Sequence, residues 1–104
     1  DFSHGAVNEA RLCRMAALCR KRGISLVLVA TPLRPSYRAE QNPAQTADMH
    51  RRIERVAARF PQTVRFLDFA ADPAFTANDF YDADHLNRAG AAKLSLKVKG
   101  RCRQ

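Results

Sequence analysis

The run "ISLVLVA", Ile24 to Ala30, sets the tightest limit on what this chain can fold into. It is nearly continuous, rich in branched side chains and apolar at odd and even positions alike. A strand with one wet face alternates, whereas a strand apolar throughout reads as covered on both faces, as in parallel sheets flanked by helices. The run stops at Thr31-Pro32. A second run, "TVRFLDF" from Thr63 to Phe69, reads as another strand. Between the two, Met49, Ile53, Val56 and Phe60 recur at helical spacing, with Arg52, Arg55 and Arg59 on another face and Pro61 as terminator. Strand, helix, strand is a βαβ unit, which winds right-handed and keeps its strands parallel.

Helices flank this unit. Leu12, Met15, Ala16 and Cys19 follow the i, i+3, i+4, i+7 pattern, which predicts a helix over about 6–22 that Gly23 ends in a left-handed cap. After the second strand a loop is expected from Ala70 to about Asn87. Ala91, Leu94 and Val98 then mark a last helix, with Lys93, Lys97 and Lys99 toward water and Asn87 as its N-cap. The small residues Ala89, Gly90, Ala91 and Ala92 would let that helix approach the sheet closely. The fold class is therefore α/β, and residues 1–104 read as one unit without repeat or linker. Two visible strands leave a parallel sheet with two open edges and little core. The expectation is that further strands lie upstream, so that the segment is the C-terminal half of a doubly wound domain, with an oligomer partner completing the sheet as the alternative. The lack of an initiator Met agrees with a segment of something longer.

Charge and cysteines exclude some classes and leave others. The net charge is +8, from 18 Lys and Arg against 10 Asp and Glu, which favours anionic surfaces and partners. No run approaches the roughly 18 apolar residues of a membrane helix, and "DFSHGAVNEA" lacks the order of a signal peptide. Cys13, Cys19 and Cys102, odd in number and widely spaced, do not form a disulfide framework or a zinc knuckle and read as buried free thiols. His4 and His50 read as surface residues.

Ligands of doubly wound sheets bind beyond the carboxyl ends of the strands. Two loops leave those ends, "TPLRPSY" and "ADPAFTANDFYDADHLN". The second concentrates the acids. Asp82 and His85, spaced Asp-x-x-His, suit a carboxylate that accepts a hydrogen bond from one ring nitrogen and leaves the other free as a base. In the first loop Thr31, Arg34 and Tyr37 are candidate substrate-binding residues. Asp68, at the end of the second strand, reads as a structural carboxylate. Asp79, Asp82, Asp84 and His85 are also metal-ligand types, but their spacing matches no strong metal motif, and no metal or cofactor is expected.

The block "FYDADHLNRAGA" resembles the C-terminal block of the SGNH (GDSL-type) hydrolase superfamily, whose signature is Asp-x-x-His before the last helix. The His-Leu-Asn-x-x-Gly-Ala extension, with "LVLVATPLRPSY" upstream, is similar to the branch of DltD-like and alginate O-acetylation proteins. The resemblance covers roughly residues 24–98. It implies a three-layer α/β/α, flavodoxin-like fold and a Ser-His-Asp site for esterase or O-acyltransferase chemistry on acylated carbohydrate or a small ester. It weakly favours the cell envelope. His85 would be the base and Asp82 its orienting carboxylate, while Asp84 has no matching role. The Gly-Asp-Ser-type nucleophile block is absent. Ser3 lacks its context, Ser25 falls in the first strand, Ser36 in the loop after it and Ser95 in the last helix. The nucleophile is therefore expected upstream of residue 1, and the isolated segment is expected to be inactive.

The alternative is a non-catalytic module for a polyanion, glycan polymer or nucleic acid. Nucleic acid is not expected, because the cations scatter over three helices (Arg11 to Arg22, Arg51 to Arg59, Lys93 to Arg103) and Phe60, Phe66 and Phe69 fall on core-like positions.

Overall fold

The computed structural model describes residues 5–102, so Ser3, His4 and Arg103 lie outside the described residues. The order of elements is α1 (Gly5–Lys21), β1 (Leu26–Ala30), α2 (Pro35–Arg38), α3 (Pro43–Arg59), β2 (Val64–Asp68), a 3-10 turn (Ala77–Asp79) and α4 (Arg88–Cys102). The chain is α/β, and β1 and β2 pair in one two-stranded parallel sheet. It divides into two compact units, residues 1–28 with 41–66, and 29–40 with 67–104.

In the first unit α1 packs against α3. Val56, Phe60, Val64 and Ala16 form a buried cluster, with Leu12, Cys13, Ala17, Leu26, Leu28 and Ala57 packed around it. Burying a Val or Phe side chain stabilises by roughly 1.5–3 kcal/mol, so a handful of such residues decides whether this seam forms. Gly23 ends the first helix at φ 68°, where a side chain would be strained. The Ile24 N–H donates to Cys19 O (2.8 Å) and the Gly23 N–H to Arg20 O (3.3 Å), which satisfies carbonyls left open by the helix end. Pro43 at the first turn, with Asn42 Oδ1 accepting from Ala44 N (2.9 Å) and Gln45 N (3.1 Å), starts α3. The Leu26 N–H donates to Thr63 O (2.8 Å), which aligns the starts of the two strands.

In the second unit the strand ends are joined by the Phe69 N–H to Ala30 O bond (2.9 Å). Pro32, Leu67, Phe69, Phe75 and Phe80 are its buried apolar residues. Asn87 caps α4, its Oδ1 accepting from Gly90 N (2.9 Å).

Several expectations need correction. The first strand is half-buried, not covered on both faces, with Val29 exposed and Ile24 outside the strand and exposed. Ser25 likewise precedes the strand. Met15 and Met49, placed on core stripes by spacing, are about half exposed, and Ala91 is exposed. Each helix here has packing on only part of the stripe its spacing draws. Cys13 and Cys19 are half-buried and Cys102 is exposed; all three are free thiols. His50 is half-buried, edge-on to Phe66 with ring centroids 5.7 Å apart. Phe66 is itself only half-buried. The loop after the first strand contains the short helix α2, started by Pro35.

The cations are also less free than spacing suggests. Arg52 bonds Asp48 (2.9 Å) and Glu9 (3.1 Å), and Arg55 bonds Glu9 (2.7 and 3.0 Å), stitching α3 to α1. Lys93 and Lys97 turn toward the loop and not fully to water, reaching Asp79 (2.7 Å) and Asp72 (3.0 Å). Gly90 is where small size matters: an added Cβ would collide with the carbonyl oxygen of Asp79 and the side chain of Leu86. The close approach is therefore to the 3-10 turn, not to the sheet.

Candidate functional site

The acidic loop is a folded object with a polar frame. Its base is the isolated antiparallel bridge between Phe80 and Leu86. The Tyr81 N–H donates to His85 O (2.8 Å) and closes the tip. Below the bridge Asp79 is buried, only 5% exposed. Its Oδ2 accepts from Thr76 N (2.9 Å) and from Lys93 Nζ (2.7 Å), and the same ammonium reaches Ala74 O (2.8 Å). The Lys93 hydrogen bond, with the Thr76 amide second, holds the Asp79 carboxyl below its ordinary pKa of 3.8. A buried charge is tolerable only when paired and hydrogen-bonded in this way. Asn87 completes the frame: its Nδ2 donates to Asn78 O (2.8 Å) and its N–H to Asp79 O (2.9 Å). Asp79 is therefore structural and does not join the possible metal cluster.

At the tip, His85 Nδ1 lies 2.8 Å from Asp82 Oδ1 and 3.1 Å from Oδ2. The backbone places the carboxylate, since Asp82 Oδ1 also accepts from His85 N (2.9 Å) and Asp84 N (3.2 Å). An ionised carboxylate can only accept, so Nδ1 carries the proton and neutral His85 keeps its lone pair on Nε2. Nε2 has no hydrogen-bond partner among the described residues. A second carboxylate, Asp84 Oδ1, stands 3.0 Å from the same Nδ1. The hydrogen bond to Asp82 chiefly, and then the charges of Asp82 and Asp84, raise the pKa of His85 above its ordinary 6.5. In return the His85 bond lowers that of Asp82 below 3.8. The trio faces water, with the His85 side chain 71% exposed.

The loop after β1 reaches this place through its backbone. The Arg34 N–H donates to Ala83 O (3.1 Å), between Asp82 and Asp84, and the Leu33 N–H donates to Ala70 O (3.3 Å). Of the candidate binding residues, Arg34 is thus tied to the acidic loop and its side chain is exposed. Thr31 is exposed and Tyr37 half-buried on the same segment, with no hydrogen bond to the pair among the described residues. Ser36 is exposed on α2 and Ser95 exposed on α4; neither bonds His85. Asp68 accepts from Ala70 N (3.0 Å) in a local turn.

The arrangement can hold and move a proton at Nε2 and stabilise the imidazolium with two carboxylates at Nδ1. Asp82, Asp84 and His85 also offer one ligand atom each within 4.8 Å of one another. A cation taken through Nδ1 would displace the bond to Asp82, so the two uses compete for one nitrogen. Sequence reading missed Asp84 as a partner of His85 and missed Lys93 as the counter-charge of Asp79. Adjacency in a tight turn was a signal for Asp84. Nothing in the spacing of residues 79 and 93 signals their pairing. Comparison with protein-family models, with curated proteins and with solved structures finds no match to this chain.

Proposed function

We propose that this chain supplies the His85–Asp82 pair of an SGNH-type serine acyl esterase or O-acyltransferase acting on acylated carbohydrate or a small ester. The observation that carries the proposal is the 2.8 Å bond from His85 Nδ1 to Asp82, in an exposed His85 whose Nε2 has no hydrogen-bond partner among the described residues, on the loop that leaves the carboxyl end of β2. In that reading Nε2 takes the proton of a serine hydroxyl as its oxygen bonds the acyl carbon. Asp82 keeps the tautomer and, with Asp84, stabilises the imidazolium. The imidazolium then returns the proton to the departing alcohol. Arg34 would meet substrate at the rim. The nucleophile, the oxyanion donors and the further strands of a three-layer α/β/α domain come from the rest of a parent chain or from an oligomer partner. The half-exposed β1, with Val29 and neighbouring Ile24 open, supports a sheet that is completed by other strands.

The test is fluorophosphonate labelling of the parent chain, its His85→Ala variant and this segment alone. The reading expects labelling on a serine outside these residues, loss of labelling in His85→Ala, and none on the segment. Labelling of the parent that persists in His85→Ala, or no labelling where a control hydrolase labels, would overturn it.

A further inference from the structure

The first unit contains an open groove of about 430 Å³ lined by Cys13, Arg14, Ala17, Arg20, Arg59 and Phe60. Positions 13, 14, 17 and 20 are one face of α1, and residues 59 and 60 close α3. Two of the guanidiniums are held by the ring at the bottom: Arg20 lies 4.9 Å and Arg59 5.9 Å from the Phe60 centroid. Arg59 Nη1 also reaches Cys13 Sγ at 3.8 Å. Phe60 is 5% exposed, so it serves as a floor and not as a stacking surface.

Among the described residues none of the three arginines pairs with a carboxylate, whereas Arg51, Arg52 and Arg55 on α3 share Asp48 and Glu9. Arg20 and Arg59 stand in the last turns of α1 and α3 and offset those C-termini, whereas Arg14 does not. Each C-terminus carries roughly half a negative charge, so two of them leave most of three guanidinium charges unmatched. Like charges gathered in one groove repel, and a compact polyvalent anion relieves that repulsion. Guanidinium forks match oxyanion geometry. The groove is open and large enough to admit a phosphate or sulfate group.

We propose that the Arg14–Arg20–Arg59 groove is a binding site for a multiply charged oxyanion of the phosphate or sulfate ester class. The site is independent of the acyl-transfer reading, since its residues belong to α1 and α3 alone.

The probe is sodium pyrophosphate, titrated calorimetrically into the chain at constant ionic strength. Saturable 1:1 binding with Kd on the order of 1 mM is expected. Arg20→Gln and Arg59→Gln should each weaken it about five- to tenfold, with Arg14→Gln as a variant that leaves the Phe60 floor untouched. Arg11→Gln, outside the groove, should leave binding unchanged. Pyrophosphate should also slow labelling of Cys13 by an anionic aromatic disulfide reagent, read by peptide mass, without slowing Cys102. The proposal falls if binding is absent, if Arg11→Gln weakens it as much as Arg14→Gln, or if Cys13 gains no protection. An inorganic-sulfate arm separates general oxyanion binding from phosphate preference: weaker binding at the same residues supports the site, and binding that ignores the arginine substitutions overturns it.

Discussion

The two units are held together by different means. Sequence positions 1–28 and 41–66 carry ten Lys and Arg against four acids, yet that unit is organised by an apolar cluster along α1 and α3. Positions 29–40 and 67–104 are nearly balanced, eight against six, and there the acids frame the loop. Asp79, Asp72 and Asp82 each meet a cation or a backbone amide, and α4 is fastened to the loop by Lys93 and Lys97. A helix seam tolerates excess charge because its cations can stay in water. A loop lacks a ladder of its own, so its backbone and side-chain polar groups must find one another.

That contrast can be broken first at Gly90. Gly90→Ala should destabilise by about 3 kcal/mol, because a backbone carbonyl and not a flexible side chain stands in the way. Hydrogen exchange should show the loss in α4 and the loop; loss concentrated in α1 and α3 would contradict the division. The counterpart is Val56→Ala in the first seam. It removes buried methyl groups and should cost about 2 kcal/mol, with little dependence on salt, by chemical denaturation. A strong salt dependence would mean that the arginines, not the apolar cluster, govern that unit.

The two asparagine caps sharpen the comparison. Among the described residues the Asn42 side chain bonds only its own first turn, so Asn42→Ala should cost about 1 kcal/mol. Asn87 caps α4 and also donates to Asn78 O, so Asn87→Ala should cost nearer 2 kcal/mol. Equal costs in thermal melts would show that the loop gains nothing from its cap.

The smallest effect concerns pH. His85 is raised, so its contribution to stability is fully present below 6.5 and is lost as pH climbs through its folded value. Asp82 is depressed, so its contribution is present above 3.8 and is lost as pH falls through its folded value. The pair therefore helps most between those limits. NMR titration should place the His85 midpoint above 6.5 and return it toward 6.5 in Asp82→Asn, with a smaller return in Asp84→Asn. Under the proposed acyl-transfer role His85 works only when neutral, so esterase or transferase activity should rise with pH through that midpoint.

The same division explains what the sequence disclosed. The first helix, the helix between the strands, the last helix and both strands follow from periodicity, Gly23, Pro61 and Asn87, all local signals. Those signals do not say how much of a stripe finds a partner, which is why Met15, Met49 and Val29 are more open than their spacing implies. The hydrogen bond between Asp82 and His85 was legible because both residues lie in one turn. The fastening of Lys93 to Asp79, and of Arg34 to Ala83, joins residues far apart in sequence, where hydrophobic pattern is silent.

The Asp82 carboxylate oxygen that meets the imidazole also receives two backbone amides. Drift at this position is therefore restrained twice. Glutamate would keep the charge but overreach the turn, and asparagine would keep the turn but remove the charge. Among the described residues the Asp84 side chain has only its nearness to Nδ1, so the loop depends on it less. Conservation of Asp82 among related chains would therefore report on the loop, and conservation of Asp84 on the charge beside Nδ1.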